Sequence, residues 1–231
     1  MMFRWILIAG VWAWMVGGGL VWAQSPPAKP GAASPSEAAV VDRILSGVEK
    51  TYAGEGFVAR FHQQSTLRAM DITDTAEGRL MIKHPDKMRW EYESPEKQLV
   101  ITNGEDLWIY RPEDNQVMIG SAPEFFKGGK GASFMSDIRR IRKHFGVSLD
   151  STKEGEYYLL KLIPKDEKLD LVSILMKISA ATFEVTEVTT ANSYGDQTLI
   201  RFDGYRFNLE PRDAEFGFDI PDGADVVRIA E

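Results

Sequence analysis

Three histidines, His62, His84 and His144, and the run Gly128-Gly129-Lys130-Gly131 are the first places to look for chemistry in this chain. A metal site needs nitrogen, sulfur or carboxylate ligands at short, set spacings. The histidines stand too far apart for any local ligand pattern, and the chain has no cysteine to help them. The glycine run lacks the Ser or Thr that a phosphate-binding loop carries after its lysine, since Gly131 follows Lys130; it reads as a hinge. No Gly-x-Ser-x-Gly elbow occurs. The carboxylates alternate with cations along strand-like stretches, which is the pattern of solubilising charge. No catalytic residue, no metal and no cofactor are expected, and the chain does not read as an enzyme.

Apolar surface is the stronger signal, and the elements that carry it can be placed by period. Val40, Val41, Ile44, Leu45 and Val48 form one helical stripe, opened by Ser34 as a cap, Pro35 and Glu37, and closed near Gly54. From Phe57 the period becomes two. Phe57, Ala59 and Phe61 alternate with charge; Leu80, Ile82 and His84 share a face of the next strand; Met88, Trp90 and Tyr92 share a face of a third after the Pro85-Asp86 turn. Asn103-Gly104 predicts a two-residue hairpin that pairs Val100 with Leu107 and Leu99 with Trp108. Those pairs fall on opposite faces, so the hairpin is apolar on both sides and needs a cover beyond solvent: helix, partner or ligand.

Further strands are expected at 116–120, 156–163, 170–178, 183–191, 197–208 and 215–219, about eleven in all. A glycine-loosened loop is expected at 121–132. It leads into a helix over about 133–145, with Phe134, Ile138, Ile141 and Phe145 on its apolar side and Gly146 as its stop. The fold class is thus mainly β, a long antiparallel sheet apolar on its concave face and plugged by helices. Such an interior can be filled by side chains or left open for a ligand.

The N-terminus and composition bound the setting. Arg4 precedes an uncharged run from Trp5 to Leu20 and a small residue at Ala23, which reads as an export signal over 1–23 cleaved after Ala23. Residues 24–34 are a Pro-containing flexible leader, and 35–231 form a single domain. Loss of Arg4 makes the formal charge of −7 one unit more negative. That balance argues against a nucleic-acid partner or an anionic membrane surface.

The block from Glu77 to Pro112, with Gly78, the Lys83-His84-Pro85 turn, Arg89-Trp90, Asn103-Gly104 and Leu107-Trp108-Ile109-Tyr110-Arg111-Pro112, resembles the LolA family of periplasmic lipoprotein carriers. The ending "DAEFGFDIPDGADVVRI" is similar too. The resemblance implies an incomplete antiparallel β-barrel whose helices form a lid over a hydrophobic cavity, working in the periplasm as a monomer. It implies a carrier that takes the acyl chains of lipoproteins from an inner-membrane lipoprotein-releasing transporter and hands them to an outer-membrane lipoprotein receptor. Its cavity positions fall on Leu80, Ile82, Met88, Trp90 and Tyr92, to which the lid helix adds Phe134 and Ile138. The family's lid-latching arginine position is occupied here by His84, which can still donate to a carbonyl but has fewer donors and a titratable charge. A lipoprotein sensor on the same fold, regulating a membrane signalling protein, is the alternative; an enzyme would need a convergent polar cluster inside the cavity.

Overall fold

The protein was analysed as a computed structural model, which describes residues 35–127, 135, 138–153, 155–166 and 170–229. The export signal, its cleavage site, the leader, Ser34 and Phe134 lie outside the described residues. Helix α1 spans Pro35–Thr51, with Glu37 in its first turn and Lys50 in its last, each at the end of the helix dipole that favours its charge. Its stripe is buried as the spacing requires, Ile44 and Val48 completely.

The strands then run β1 (Gly56–Leu67), β2 (Ile72–Lys83), β3 (Lys87–Ser94), β4 (Gln98–Asn103), β5 (Asp106–Arg111) and β6 (Gln116–Ser121). Two short helices follow, α2 (Ala122–Lys127) and α3 (Arg140–His144). The chain returns through β7 (Phe145–Lys153), β8 (Tyr157–Pro164), β9 (Ser173–Ser179), β10 (Val185–Ala191) and β11 (Gln197–Leu209). A 3₁₀ turn at Asp213–Phe216 leads to β12 (Asp225–Arg228). These make one open twelve-stranded sheet in the order β12-β6-β5-β4-β3-β2-β1-β11-β10-β9-β8-β7. Every pairing is antiparallel except β12 on β6, which is parallel. The main core lies on one face, where the buried residues of α1 and of Met135, Ile138 and Ile141 meet those of the strands.

Four local expectations are corrected. Phe145 and Gly146 do not end a helix; they begin β7, pairing with Pro164 and Ile163. Phe145 fits a helical stripe and an alternating Phe145-Val147-Leu149 strand equally well, and pairing with β8 decides between them. The segment expected as a loose loop from 121 opens as α2, because Ala122 is fully buried and its N–H donates to the Glu105 carbonyl at 2.9 Å. Residues 215–219 are not a strand; the 3₁₀ turn replaces its start, and the sheet is completed by β12 instead.

The fourth concerns the hairpin register. Val100 faces Ile109, and Thr102 faces Leu107, two residues beyond the expected pairing. Asn103 Oδ1 accepts the N–H groups of Glu105 and Asp106 at 2.8 and 2.7 Å, which widens the turn. Since the slip is two residues, every side chain keeps its face. The hairpin is therefore apolar on both sides, as expected. The cover on its outer side is the chain's own C-terminal segment. The 3₁₀ turn packs on β3 and β4, Ile101 and Phe216 are fully buried, and Phe218 lies 5.3 Å from the Tyr110 ring. Lys83 and Lys87 hold Asp213 at 2.6 and 2.9 Å, and Arg89 donates to the Glu215 carbonyl.

Candidate functional site

Register brings the expected cavity residues together. Phe57, Ile82 and Met88 lie in one row across β1, β2 and β3, and Ala59, Leu80 and Trp90 in the next. Tyr92 follows, opposite Gly78, which faces Phe61. Leu80 and Ile82 are fully buried and Met88 nearly so, and Trp90 is 5% exposed. Gly78 is required here: a Cβ would collide with the Glu91 backbone carbonyl, so only glycine allows the two strands to approach at this irregular register.

The Trp90 ring meets Phe61 edge-on at 4.7 Å and Phe202 at 6.2 Å, and stacks against Tyr92 at 6.3 Å. Burial pushes the Tyr92 hydroxyl up to about 12, and it donates to Gln63 Oε1 at 3.1 Å. The face continues through Ile200 and Phe202 of β11, Val188 of β10 and Met176 of β9. Sequence reasoning nominated none of these last residues, nor Phe57 and Phe61, although the period-two alternation that placed β2 and β3 also runs through β1.

Ile138 joins this interior at 3% exposure, together with Met135 and Ile141. Apolar side chains of α1 and of Met135, Ile138 and Ile141 thus belong to one buried cluster with the aromatic floor. Two sets of polar contacts hold the cover. Arg142 of α3 grips α1, its Nε meeting Glu49 and its Nη1 meeting Asp42, both at 2.6 Å, with a further bond to Ser46 Oγ. The Glu49 bond, then Asp42, holds the guanidinium above its usual range. Arg140 Nη2 lies 2.6 Å from Asp86 Oδ2 in the β2–β3 turn. The Asp86 carbonyl accepts the Thr102 hydroxyl at 2.8 Å.

At its other end α1 is pinned by Tyr52, which is 4% exposed. Its hydroxyl accepts the Val185 N–H at 3.0 Å while Tyr205 donates to the Val185 carbonyl at 2.7 Å. Burial raises both phenols well above their ordinary range.

His84 is half-buried at the end of the same row, its ring 6.2 Å from Phe57 and its backbone N–H donating to Glu55. Asp86, two positions on, links this turn to α3 through Arg140. His62 sits on the opposite face between Glu77 and Asp203 at 3.2 and 3.4 Å, and His144 is exposed on α3. The three histidines are not brought together. Among the described residues no cluster of three or more metal-ligating side chains occurs, and no helix is long and apolar enough to cross a membrane.

Residues 53–219 match the protein family described as outer membrane lipoprotein carrier protein LolA. A Pseudomonas aeruginosa protein named outer-membrane lipoprotein carrier protein is 27% identical over 192 residues, covering 83% of this chain and 89% of its own. An Azotobacter vinelandii protein of the same name is 26% identical over 170 residues, covering 74% and 80%. Among solved structures, an uncharacterized conserved protein from Thermus thermophilus superposes with a TM-score of 0.53 at 16% identity, over 82% of this chain and 99% of that one. That likeness concerns the fold.

Proposed function

Since this chain belongs to the LolA family, we propose that it is a periplasmic carrier that shelters the acyl chains of lipoproteins leaving the inner membrane and delivers them to an outer-membrane receptor. The observation that carries this reading is the contiguous apolar face of an open sheet, Leu80, Ile82, Met88, Trp90 and Tyr92, roofed by separate helical segments. Acyl chains would take the places that the side chains of α1 and Ile138 occupy when the lid is shut, with Phe134 as a further residue of the lid. In this reading residues 1–23 direct export and are removed after Ala23, 24–34 are a flexible leader, and the carrier works as a monomer between an inner-membrane transporter and its receptor. His84 contributes to the latch from the β2–β3 turn beside Asp86.

Magnitudes set how it must work. Burial contributes ~0.8 kcal/mol per methylene, so two or three acyl chains would cost roughly 20 to 35 kcal/mol to expose to water. Non-covalent affinities saturate near ~20 kcal/mol. Release into water is ruled out, and the chains must pass to an acceptor while the two proteins are docked. A cavity that refills with its own side chains when empty suits this, because reopening it subtracts from the affinity and keeps the hold moderate. No bond in the cargo is made or broken.

Mass spectrometry of the protein isolated from its native periplasm tests the reading. Peptides bearing acyl chains at their N-termini are expected in complex with it. Recovery of free lipid alone, or of a modified small molecule, would replace the carrier by another function.

A further inference from the structure

The core-facing side of the sheet changes character along the strands. Beyond the row of Ala59, Leu80 and Trp90, the side chains turned to the same side are Tyr92, Phe61 and Phe202, and after them Gln63, Ser65 and Thr198. They form one hydrogen-bonded chain across β3, β1 and β11. Tyr92 donates to Gln63 Oε1 at 3.1 Å, Gln63 Nε2 donates to Ser65 Oγ at 3.1 Å, and Ser65 Oγ lies 3.4 Å from Thr198 Oγ1. All four residues are half-buried.

This chain has donors to spare. A carboxamide nitrogen carries two N–H groups, and Gln63 spends one on Ser65. Ser65 and Thr198 have a hydroxyl hydrogen each, and their mutual bond consumes one of the two. At least one N–H and one O–H therefore remain to be offered at the rim of an aromatic floor. Among the described residues, no cation lies beside them in the register of this side. The neighbours of these donors on the same side of the paired strands are Phe61, Ala76, Asp74, Thr190 and Ile200. Asp74, opposite Ser65, is the one charge in that row and it is negative.

Resting on the carrier reading above, we infer that Gln63, Ser65 and Thr198, aligned by Tyr92, form a subsite for the ester carbonyls that join acyl chains to a glyceryl backbone. The subsite favours a neutral diacylglyceryl group over a phosphorylated one. Surplus neutral donors beside hydrocarbon match an uncharged acceptor at the end of an acyl chain. A phosphate at the same place would meet Asp74 and, among the described neighbours on this side, no arginine or lysine, so the subsite discriminates between a lipoprotein anchor and the phospholipids around it.

Three soluble probes test this on the full chain stripped of lipid: dioctanoylglycerol, its dioctyl ether analogue without carbonyls, and dioctanoylphosphatidic acid, each by calorimetry. The diester is expected to bind on the order of tenfold more tightly than the diether, the gain of one or two net hydrogen bonds. Phosphatidic acid should bind more weakly than the diester. Thr198→Val and Gln63→Leu should each reduce the ester preference while leaving diether affinity in place, and if one variant fails to fold, the other decides. Equal affinity for diester and diether in the unaltered protein, or a preference for phosphatidic acid, overturns the subsite but leaves the carrier intact. Failure of all three probes to bind overturns both.

Discussion

Replacing Arg140 with methionine tests whether the ion pair at the β2–β3 turn keeps the lid shut. The guanidinium and the Asp86 carboxylate meet at 2.6 Å with side chains 41% and 23% exposed, between the surface and buried regimes. Fully exposed pairs contribute about 0.2–1 kcal/mol, whereas stranding a buried charge costs about 3–5 kcal/mol. Asp86 Oδ1 is buried without a hydrogen-bond partner among the described residues, so losing Arg140 also removes the cation that offsets it. A cost of about 1–2 kcal/mol follows, discounted for the solvent that reaches Arg140. If that energy separates the closed from the open lid, the open population rises about five- to thirtyfold, and affinity for an acyl probe tightens by the same factor while the closed form predominates. Hydrogen exchange of α1 and α3 should quicken, probe binding should tighten, and transfer to acceptor membranes should slow. A double-mutant cycle with Asp86→Asn isolates the pair from any other contact of Arg140. Additive effects of the two substitutions, with exchange and affinity unchanged, would refute the latch.

Two further outcomes are expected. Bonds from Lys83 and then Lys87 lower the Asp213 carboxyl from its ordinary value to about 2. Because the folded value is depressed, its support for the C-terminal cover is present above the unfolded pKa of ~4 and is lost as pH falls through about 2. Hydrogen exchange in Asp213–Phe216 should therefore accelerate between those pH values, more weakly in high salt, and Asp213→Asn should abolish the transition; an identical acid profile in that variant would contradict it. Tyr52→Phe strands the buried Val185 N–H, which costs about 1–3 kcal/mol and lowers the melting temperature by about 3–10 °C. An unaltered melt would show that water or a backbone shift satisfies that donor.

Much of the site was legible because strand periodicity acts locally. Alternation placed Leu80, Ile82, Met88, Trp90 and Tyr92 on one face of two strands before their partners were known, and a residue's face is unaffected by a two-residue slip such as the one at Asn103. Helical spacing likewise marked the buried stripe of α1, and Ile138 was found from the apolar side of the following segment. Phe134 lies outside the described residues.

What only the tertiary structure decided is what each face meets. The amphipathic pattern at 145–149 is compatible with helix or strand, and β8 settled it by offering backbone partners. The outer side of the 98–111 hairpin required a cover, but nothing local could say that it would come from residues 213–218. Tyr92, Gln63, Ser65 and Thr198 belong to three strands distant in sequence, so their shared hydrogen bonds exist only once β1 pairs with both β2 and β11. Apolar periodicity is written residue by residue, because it reports which side of the backbone leaves water. The identity of the group across the gap depends on chain closure over long loops, a non-local choice that short-range pattern does not contain.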